Sequence, residues 1–431
     1  MNSLAGALNT TLDGTVVARL FSDLGRRMYF PKGIVAQAAE AKQKAHRFNA
    51  TVGMAYAEGE PMTLPLIREL TAGLPTEESV AYAPTAGVPA LRDRWATLMR
   101  TKNPSLGDVP TTRPAVVPGL TAGLAVVGDL FVEPEDMVLL PDLFWGNYRL
   151  MLGERRQAQL REFPFFDEQG AFNRTAFAEG ARAASAKGKL ITLLNFPNNP
   201  AGFTPSTEDV QFIRDTLVNL AESVPVMVLC DDAYFGLLYD QSTFPESIFS
   251  QLADAHPNLM AVKVDGATKE DYVWGFRVGF VTLAFRGMTG EHAAALEQKL
   301  TGTIRSMVSN SSRLSQSLLL RALNDPRYAT QKDEAYQLLS GRFARLQEIL
   351  AAQARDGRAA QLVPLPCNSG YFMSFRCRGI SAEALRTALL ERGVGTIAIR
   401  DEYLRVAFAG IDAANLDELY REIFEAAESL S

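Results

Sequence analysis

The sequence predicts an α/β protein built on a mostly parallel sheet. Three observations carry that expectation. Between about residues 115 and 285, short and almost wholly apolar runs alternate with longer segments of helical period. Runs so uniformly apolar need helices over both faces of their sheet, the environment of parallel strands. After about residue 310 the rhythm changes to long amphipathic stretches followed by short strands, the pattern of a smaller α+β unit.

A helix is expected over Gly33–Lys44, followed by a short apolar run ending at Gly53. The main strands are expected at Ala115–Val117, Met137–Leu140, Leu190–Leu194, Val226–Cys230, Leu259–Val264 and Val278–Leu283. Amphipathic helices follow at Leu314–Leu323 and Ala335–Ala354, then strands near Tyr371–Phe375 and Tyr403–Ala407. The organisation read from this is an N-terminal arm and part of a small domain over 1–60, a large domain over 61–320 and a C-terminal small domain over 321–431.

Composition narrows the function. The chain has 431 residues, 47% apolar and 21% charged, with 32 Gly and 22 Pro, which excludes disordered and fibrous classes. A net charge of −6 argues against a nucleic-acid or anionic-membrane surface. Cys230, Cys367 and Cys377 are too scattered for a disulfide framework or a zinc quartet, and no metal site is expected. The three histidines, His46, His256 and His292, have no metal-spaced neighbour, so acid–base chemistry is assigned to other residue types. No apolar run reaches the roughly 20 residues of a membrane span, and the start lacks a signal-peptide pattern. The expected location is the cytoplasm.

In an open α/β sheet, ligands bind beyond the carboxyl ends of the strands. After Ala115–Val117 comes Pro118-Gly119-Leu120-Thr121, opening a helix whose N–H groups suit a phosphate, or an ordinary turn capped by Thr121. After Met137–Leu140 an aromatic-rich loop carries Trp145, either a stacking plate or packing. After Leu190–Leu194, Asn195-Phe196-Pro197-Asn198-Asn199-Pro200 combines turn residues with a rigidly held amide. After Val226–Cys230 comes Asp231-Asp232-Ala233-Tyr234, where a carboxylate at the end of an apolar strand needs a cationic partner, several donors, or a helix to cap. After Leu259–Val264, Thr268 and Lys269 precede Arg277 by a span that suits an amine nucleophile beside an anion site. The plainer reading pairs Lys269 with Glu270 or Asp271; Lys263, inside the strand, ranks below Lys269.

Together these segments resemble the fold-type I pyridoxal-phosphate aminotransferases of class I/II, nearest the aspartate and aromatic branch, from about Phe30 to Arg405. Asn199-Pro200-Ala201-Gly202 resembles the family's Asn-Pro-Thr-Gly, Asp231-Asp232-Ala233-Tyr234 its Asp-x-Ala-Tyr, and Lys269 with Arg277 its Lys-x7-Arg. Leu404-Arg405-Val406-Ala407 resembles its carboxylate-binding arginine strand, Trp145-Gly146-Asn147 its aromatic plate, and Tyr82-Ala83-Pro84 its Tyr-x-Pro segment. The resemblance implies a mostly parallel seven-stranded-type sheet sandwiched by helices, with a smaller α+β domain drawn from both termini.

It also implies roles. Lys269 would form the Schiff base with pyridoxal 5′-phosphate and shuttle the substrate proton, Asp231 would hold the pyridine nitrogen protonated, and Asn199 and Tyr234 would bond the ring oxygen. Trp145 would stack on the ring. Gly119, Leu120, Thr121, Thr268 and Arg277 would hold the phosphate, completed by Tyr82 of a neighbouring subunit. Arg405 would clamp the substrate α-carboxylate, with Gly53 beside it; a surface-strand arginine is the alternative. Arg305 lies where the branch carries an arginine that reads a distal carboxylate across the subunit boundary. Three departures stand out: Gly266 where a hydroxyl is common, Gly119 and Leu120 in the phosphate loop, and Tyr148 in place of the branch's histidine.

The implied protein is a homodimeric aminotransferase with shared sites, moving an amino group between an amino acid, dicarboxylic or aromatic, and a 2-oxo acid by a ping-pong reaction. Alternatives are another reaction of the same fold, such as β-elimination, C–S lysis or decarboxylation, or a non-catalytic cofactor-binding effector module. Against the last, no helix-turn-helix and no basic patch is visible.

Overall fold

A computed structural model describes residues 1–12, 26–27, 34–51, 53–70 and 73–430. Gly33, Phe30 and the apolar run's Val52 lie outside the described residues. The strands are β1 (Phe48–Asn49), β2 (Tyr56–Ala57), β3 (Glu60–Pro61), β4 (Ala115–Val117), β5 (Met137–Pro141), β6 (Gln159–Phe163), β7 (Leu190–Asn195) and β8 (Val226–Asp231). They continue with β9 (Leu259–Gly266), β10 (Gly279–Phe285), β11 (Leu362–Pro364), β12 (Met373–Cys377), β13 (Val394–Gly395), β14 (Ile397–Ile399) and β15 (Tyr403–Val406).

Seven of these form the main sheet in the order β4-β10-β9-β8-β7-β5-β6. The central strands run parallel, and β10 is antiparallel to both of its neighbours. Strands β7 and β8 are buried at every position, which is why each reads as a continuous apolar run. The sequence reading missed β6: as an edge strand its Gln-Leu-Arg-Glu-Phe alternates exposed with half-buried positions and carries charge. The carboxyl ends of β7, β8 and β9 lie side by side, with Asn195 opposite Asp231 and Asp231 opposite Val264.

Helix Leu120–Phe131 covers the sheet closely at this end, where a Cβ on Gly123 would meet Val264 Cγ1 at 2.8 Å. On the far face, helix Thr207–Ala221 starts at a capping box between Ser206 and Asp209. A second sheet, β11-β12-β15-β14, packs with helices Ala382–Glu391 and Leu416–Glu428 in a core of its own. The N-terminal segment joins it, because β1 pairs in parallel with β13 and helix Ile34–Lys44 packs against β13 and β14. The amphipathic stretch expected at Ala335–Ala354 is the middle of one 29-residue helix, Tyr328–Asp356, which links the two sheets' surroundings.

Candidate active site

A cavity of about 350 Å³ opens beyond the carboxyl ends of β7, β8 and β9. Gly53, Leu120, Thr121, Trp145, Asn199, Asp231, Tyr234, Thr268, Lys269, Arg277 and Arg405 all line it, although more than 350 positions of chain separate the first from the last. Of the remaining candidates, Gly119 borders the cavity at Arg277 without lining it, and two lie elsewhere. Tyr82 is 90% exposed, and Arg305 sits on the exposed side of helix Gly290–Val308, donating to Ser309 Oγ at 2.5 Å.

At one end the walls suit an anion. The cap of helix Leu120–Phe131 is Gly119, with φ +84°, so Thr121 is the helix's second residue and not its N-cap. Ala122 and Gly123 donate to Gly119 O, which leaves the N–H groups of Leu120 and Thr121 as the ones with no carbonyl a turn before them in that helix. The Arg277 guanidinium lies against Gly119 so closely that a Cβ there would be 2.3 Å from Nη2. Thr268 Oγ1 is buried and has no hydrogen-bond partner among the described residues. Gly266 has a packing reason to lack a side chain: a Cβ would fall 2.7 Å from Val278 O and 2.9 Å from Gly279 Cα.

Asp231 stands at the centre. It is 2% exposed, and no described residue forms an ion pair with it. Tyr148 Oη donates to its Oδ2 at 2.5 Å and the Ala233 N–H to its Oδ1 at 3.1 Å, so Tyr148 supplies the support that the missing histidine left open. Burial raises the Asp231 carboxyl above the ordinary range, opposed by the Tyr148 hydroxyl and the Lys269 charge. The helix-capping alternative for Asp231 falls away, because a turn and not a helix follows β8.

Lys269 projects from the short helix Ala267–Glu270, just past β9. Its Nζ lies 4.9 Å from the centre of the Tyr234 ring. Burial brings the ammonium down to about 8, with Arg277 adding to the fall and Asp231 opposing it. The pairing with Glu270 or Asp271 does not occur: those carboxylates turn away to Lys102 and Lys332. Lys263 lies within β9 on the buried face, paired with Asp232 and, at 3.4 Å, with Asp265.

At the other end Arg405 is 3% exposed, which overturns the surface-strand reading. Its Nη1 donates to Asn199 Oδ1 at 3.0 Å and its Nη2 to Thr51 O at 3.0 Å, while Phe372 lies 4.3 Å from the guanidinium carbon. Burial pulls this guanidinium down to about 10. Asn199 gives its oxygen to Arg405, so its NH2 is the side left for a ligand. A ladder links the ends of the cavity: Asn195 Nδ2 donates to Asp231 O at 2.8 Å, and the Asn199 N–H donates to Asn195 Oδ1 at 2.8 Å.

Sequence reasoning missed Ala38, Thr51, Ala233 and Phe372 in the lining and read Asn195 only as turn chemistry. Thr51 acts through a backbone carbonyl, which no residue pattern reveals. Phe372 read as the start of a strand.

The profile of the family described as aminotransferase class I and II matches residues 54–423. The chain belongs to that family. Among curated proteins it is 26% identical over 259 residues to the aspartate/prephenate aminotransferase of Thermus thermophilus, covering 60% of this chain and 63% of that protein. It is 28% identical over 199 residues to transaminase BacF of Bacillus subtilis, covering 46% of each. The chain thus spans less than two thirds of the Thermus protein's length in that match. Among solved structures, an aminotransferase from Anaerococcus prevotii superposes with a TM-score of 0.82 at 19% identity, covering 94% of this chain and 98% of that one. Thermus thermophilus aspartate aminotransferase gives 0.74 at 19% identity, covering 94% and 99%. At such identities the likeness shows the fold, an α/β transferase architecture. Among the described residues no helix is long and apolar enough to cross a membrane.

Proposed function

We propose that the protein is a pyridoxal-phosphate-dependent aminotransferase that moves an amino group between an L-amino acid and a 2-oxo acid in two half-reactions. One observation carries the reading: a carboxylate buried with no ion pair among the described residues, a lysine lowered toward neutrality and a buried arginine face one cavity. The cofactor fits what is present. Thr121, the Thr268 hydroxyl, which has no partner among the described residues, Arg277 and the amides after Gly119 would hold its phosphate, and Trp145 its ring. When bound, the cofactor supplies an aldehyde that condenses with a primary amine and a ring that withdraws the electron pair from the substrate's Cα.

The chain's own groups do the rest. The Asp231 carboxyl faces the cavity and, as a carboxylate, would hold a proton on a ring nitrogen. Lys269 Nζ is the amine placed for the aldehyde and, when neutral, the base placed for the substrate's Cα proton. Tyr234 and the Asn199 NH2 are donors for a ring oxygen. Arg405, held by Asn199 and Thr51, would take the α-carboxylate, with Gly53 leaving room beside Tyr234 Oη.

The same reading places the enzyme in the cytoplasm as a homodimer, with Tyr82 and Arg305 reaching a neighbour's cavity and the donors dicarboxylic or aromatic amino acids. Residues 1–60, 61–320 and 321–431 are its arm, large domain and small domain. The test is product identity: purified enzyme loaded with pyridoxal phosphate is mixed with a panel of amino acids. Oxo acid without ammonia or carbon dioxide is the expected result. Ammonia would select elimination or C–S lysis, carbon dioxide would select decarboxylation, and no turnover with any donor would select a binding module.

A further inference from the structure

Helix Tyr328–Asp356 lines no part of the cavity, yet it contacts the residues that directly follow Lys269 and the segment that follows the Arg405 strand. Near its start, Lys332 Nζ lies 2.8 Å from Glu270 Oε1 and 3.0 Å from Asp271 Oδ1. Tyr328 Oη donates to the same Asp271 oxygen at 2.5 Å. Glu270 and Asp271 directly follow Lys269, and Glu270 also meets Lys102 Nζ at 2.6 Å. The backbone of Lys269 itself is held by Tyr371, whose Oη donates to Lys269 O at 3.0 Å.

Ten residues further along the helix, Arg342 is buried. It donates from Nη1 to Ala409 O at 2.5 Å and pairs through Nη2 with Asp412 Oδ1 at 2.7 Å. Ala409 follows the end of β15, the strand that carries Arg405. One rigid element therefore grips the lysine turn and the segment after the arginine strand, at points about 15 Å apart along its axis.

We propose that Lys332 and Arg342 are positioning residues that fix, through this helix, the separation between the Lys269 amine and the Arg405 guanidinium. The proposal rests on the aminotransferase reading of the cavity. A substrate must engage both groups at once, by its α-carboxylate and at its α-carbon. A misplacement of about 1 Å at either end costs on the order of 100-fold in rate. Glu270 and Asp271 are 7% and 0% exposed, and desolvating two carboxylates beside a reactive amine opposes folding unless their partners are well placed. Directional bonds to Lys332, Lys102 and Tyr328 specify where the turn sits in a way that apolar contact does not.

The test compares Lys332→Met, Lys332→Arg, Arg342→Met and Arg342→Lys. It reads the rate at which the visible lysine-bound band forms when pyridoxal phosphate is added to apoprotein, and kcat and KM separately. Lys332→Met is expected to slow band formation and kcat by about 10-fold or more with KM nearly unchanged, and Lys332→Arg to restore most of both. Arg342→Met is expected to raise KM for amino acid and oxo acid by about 10-fold while the band forms at the normal rate, with Arg342→Lys intermediate. Because Lys332→Met leaves a buried carboxylate unpaired, Lys332→Met/Asp271→Asn is measured beside it. Recovered melting temperature with the rate still slow supports positioning. Recovery of both, or losses of melting temperature alone in all variants, overturns it. A wild-type protein that forms no band with pyridoxal phosphate would overturn the aminotransferase reading itself, a result distinct from a normal band that the variants leave unchanged.

Discussion

The hydroxyl of Tyr148 donates to Oδ2 of Asp231 at 2.5 Å, so a neutral phenol supports the buried carboxylate from behind. Removing that donor in Tyr148→Phe takes away a bond to the charged form, and the Asp231 carboxyl then rises further. A hydrogen bond to a charged group contributes about 1.5–3 kcal/mol, so pyridoxal phosphate affinity is expected to fall by roughly 10- to 100-fold. The acidic limb of the activity profile moves to higher pH. A pH–rate profile that superimposes on wild type would reduce Tyr148 to packing.

Lys269 titrates at about 8 against an ordinary 10.5. Labelling of the apoprotein amine by an aldehyde and borohydride is therefore expected to reach half its maximum near pH 8. Asp231→Asn removes the charge that holds the ammonium up and should lower this midpoint, while Arg277→Met should raise it. The linkage has a definite sign. Between about 8 and 10.5 the unfolded chain binds the proton that the folded chain has released, so stability contributed at this site rises with pH through that window. Denaturant titrations of wild type against Lys269→Met across these pH values check it.

The two lysines of the β9 region separate by different readouts. Lys263→Met strands Asp232 and Asp265 without their cation and is expected to lose about 3–5 kcal/mol of stability while a visible lysine band still forms. Lys269→Ala should keep its melting temperature and lose the band. The reverse pattern would mean that the wrong lysine was assigned.

Tyr82, 90% exposed in one chain, is expected to act in a neighbour's cavity. Mixing inactive Tyr82→Ala and Lys269→Ala variants should restore activity in heterodimers. No recovery in demonstrably mixed dimers would show that each cavity is built from one chain.

Arg305 presents its guanidinium on an exposed helix face, where it meets only Ser309 among the hydrogen bonds described. If it reads a distal carboxylate across the subunit boundary, Arg305→Leu lowers kcat/KM for glutamate by about 2–5 kcal/mol, a factor of roughly 30 or more, and leaves phenylalanine unchanged. Equal effects on both substrates would remove it from specificity and turn the assignment toward aromatic or neutral donors.

The α/β class, the run of buried central strands and the segments at and just past their ends that carry Asp231, Lys269 and Asn199 are legible in the chain alone. Those are local properties: burial on both faces writes itself as an unbroken apolar run, and a ligand-facing residue follows it directly. Strand β6 is not legible there, because an edge strand needs no such run. What each charged group meets is set by contacts between segments distant in the chain. Glu270 and Asp271 turn to Lys102 and Lys332, Tyr148 reaches Asp231 across 83 positions, and Arg405 is buried against Asn199 and Phe372. Gly266 reads in sequence as a missing hydroxyl and in the fold as the only residue that fits beneath Gly279. Such pairings depend on which distant segments the sheet order brings within a few ångströms, and on burial that makes an unpaired charge too costly to leave. Neither quantity is written in any local stretch of chain.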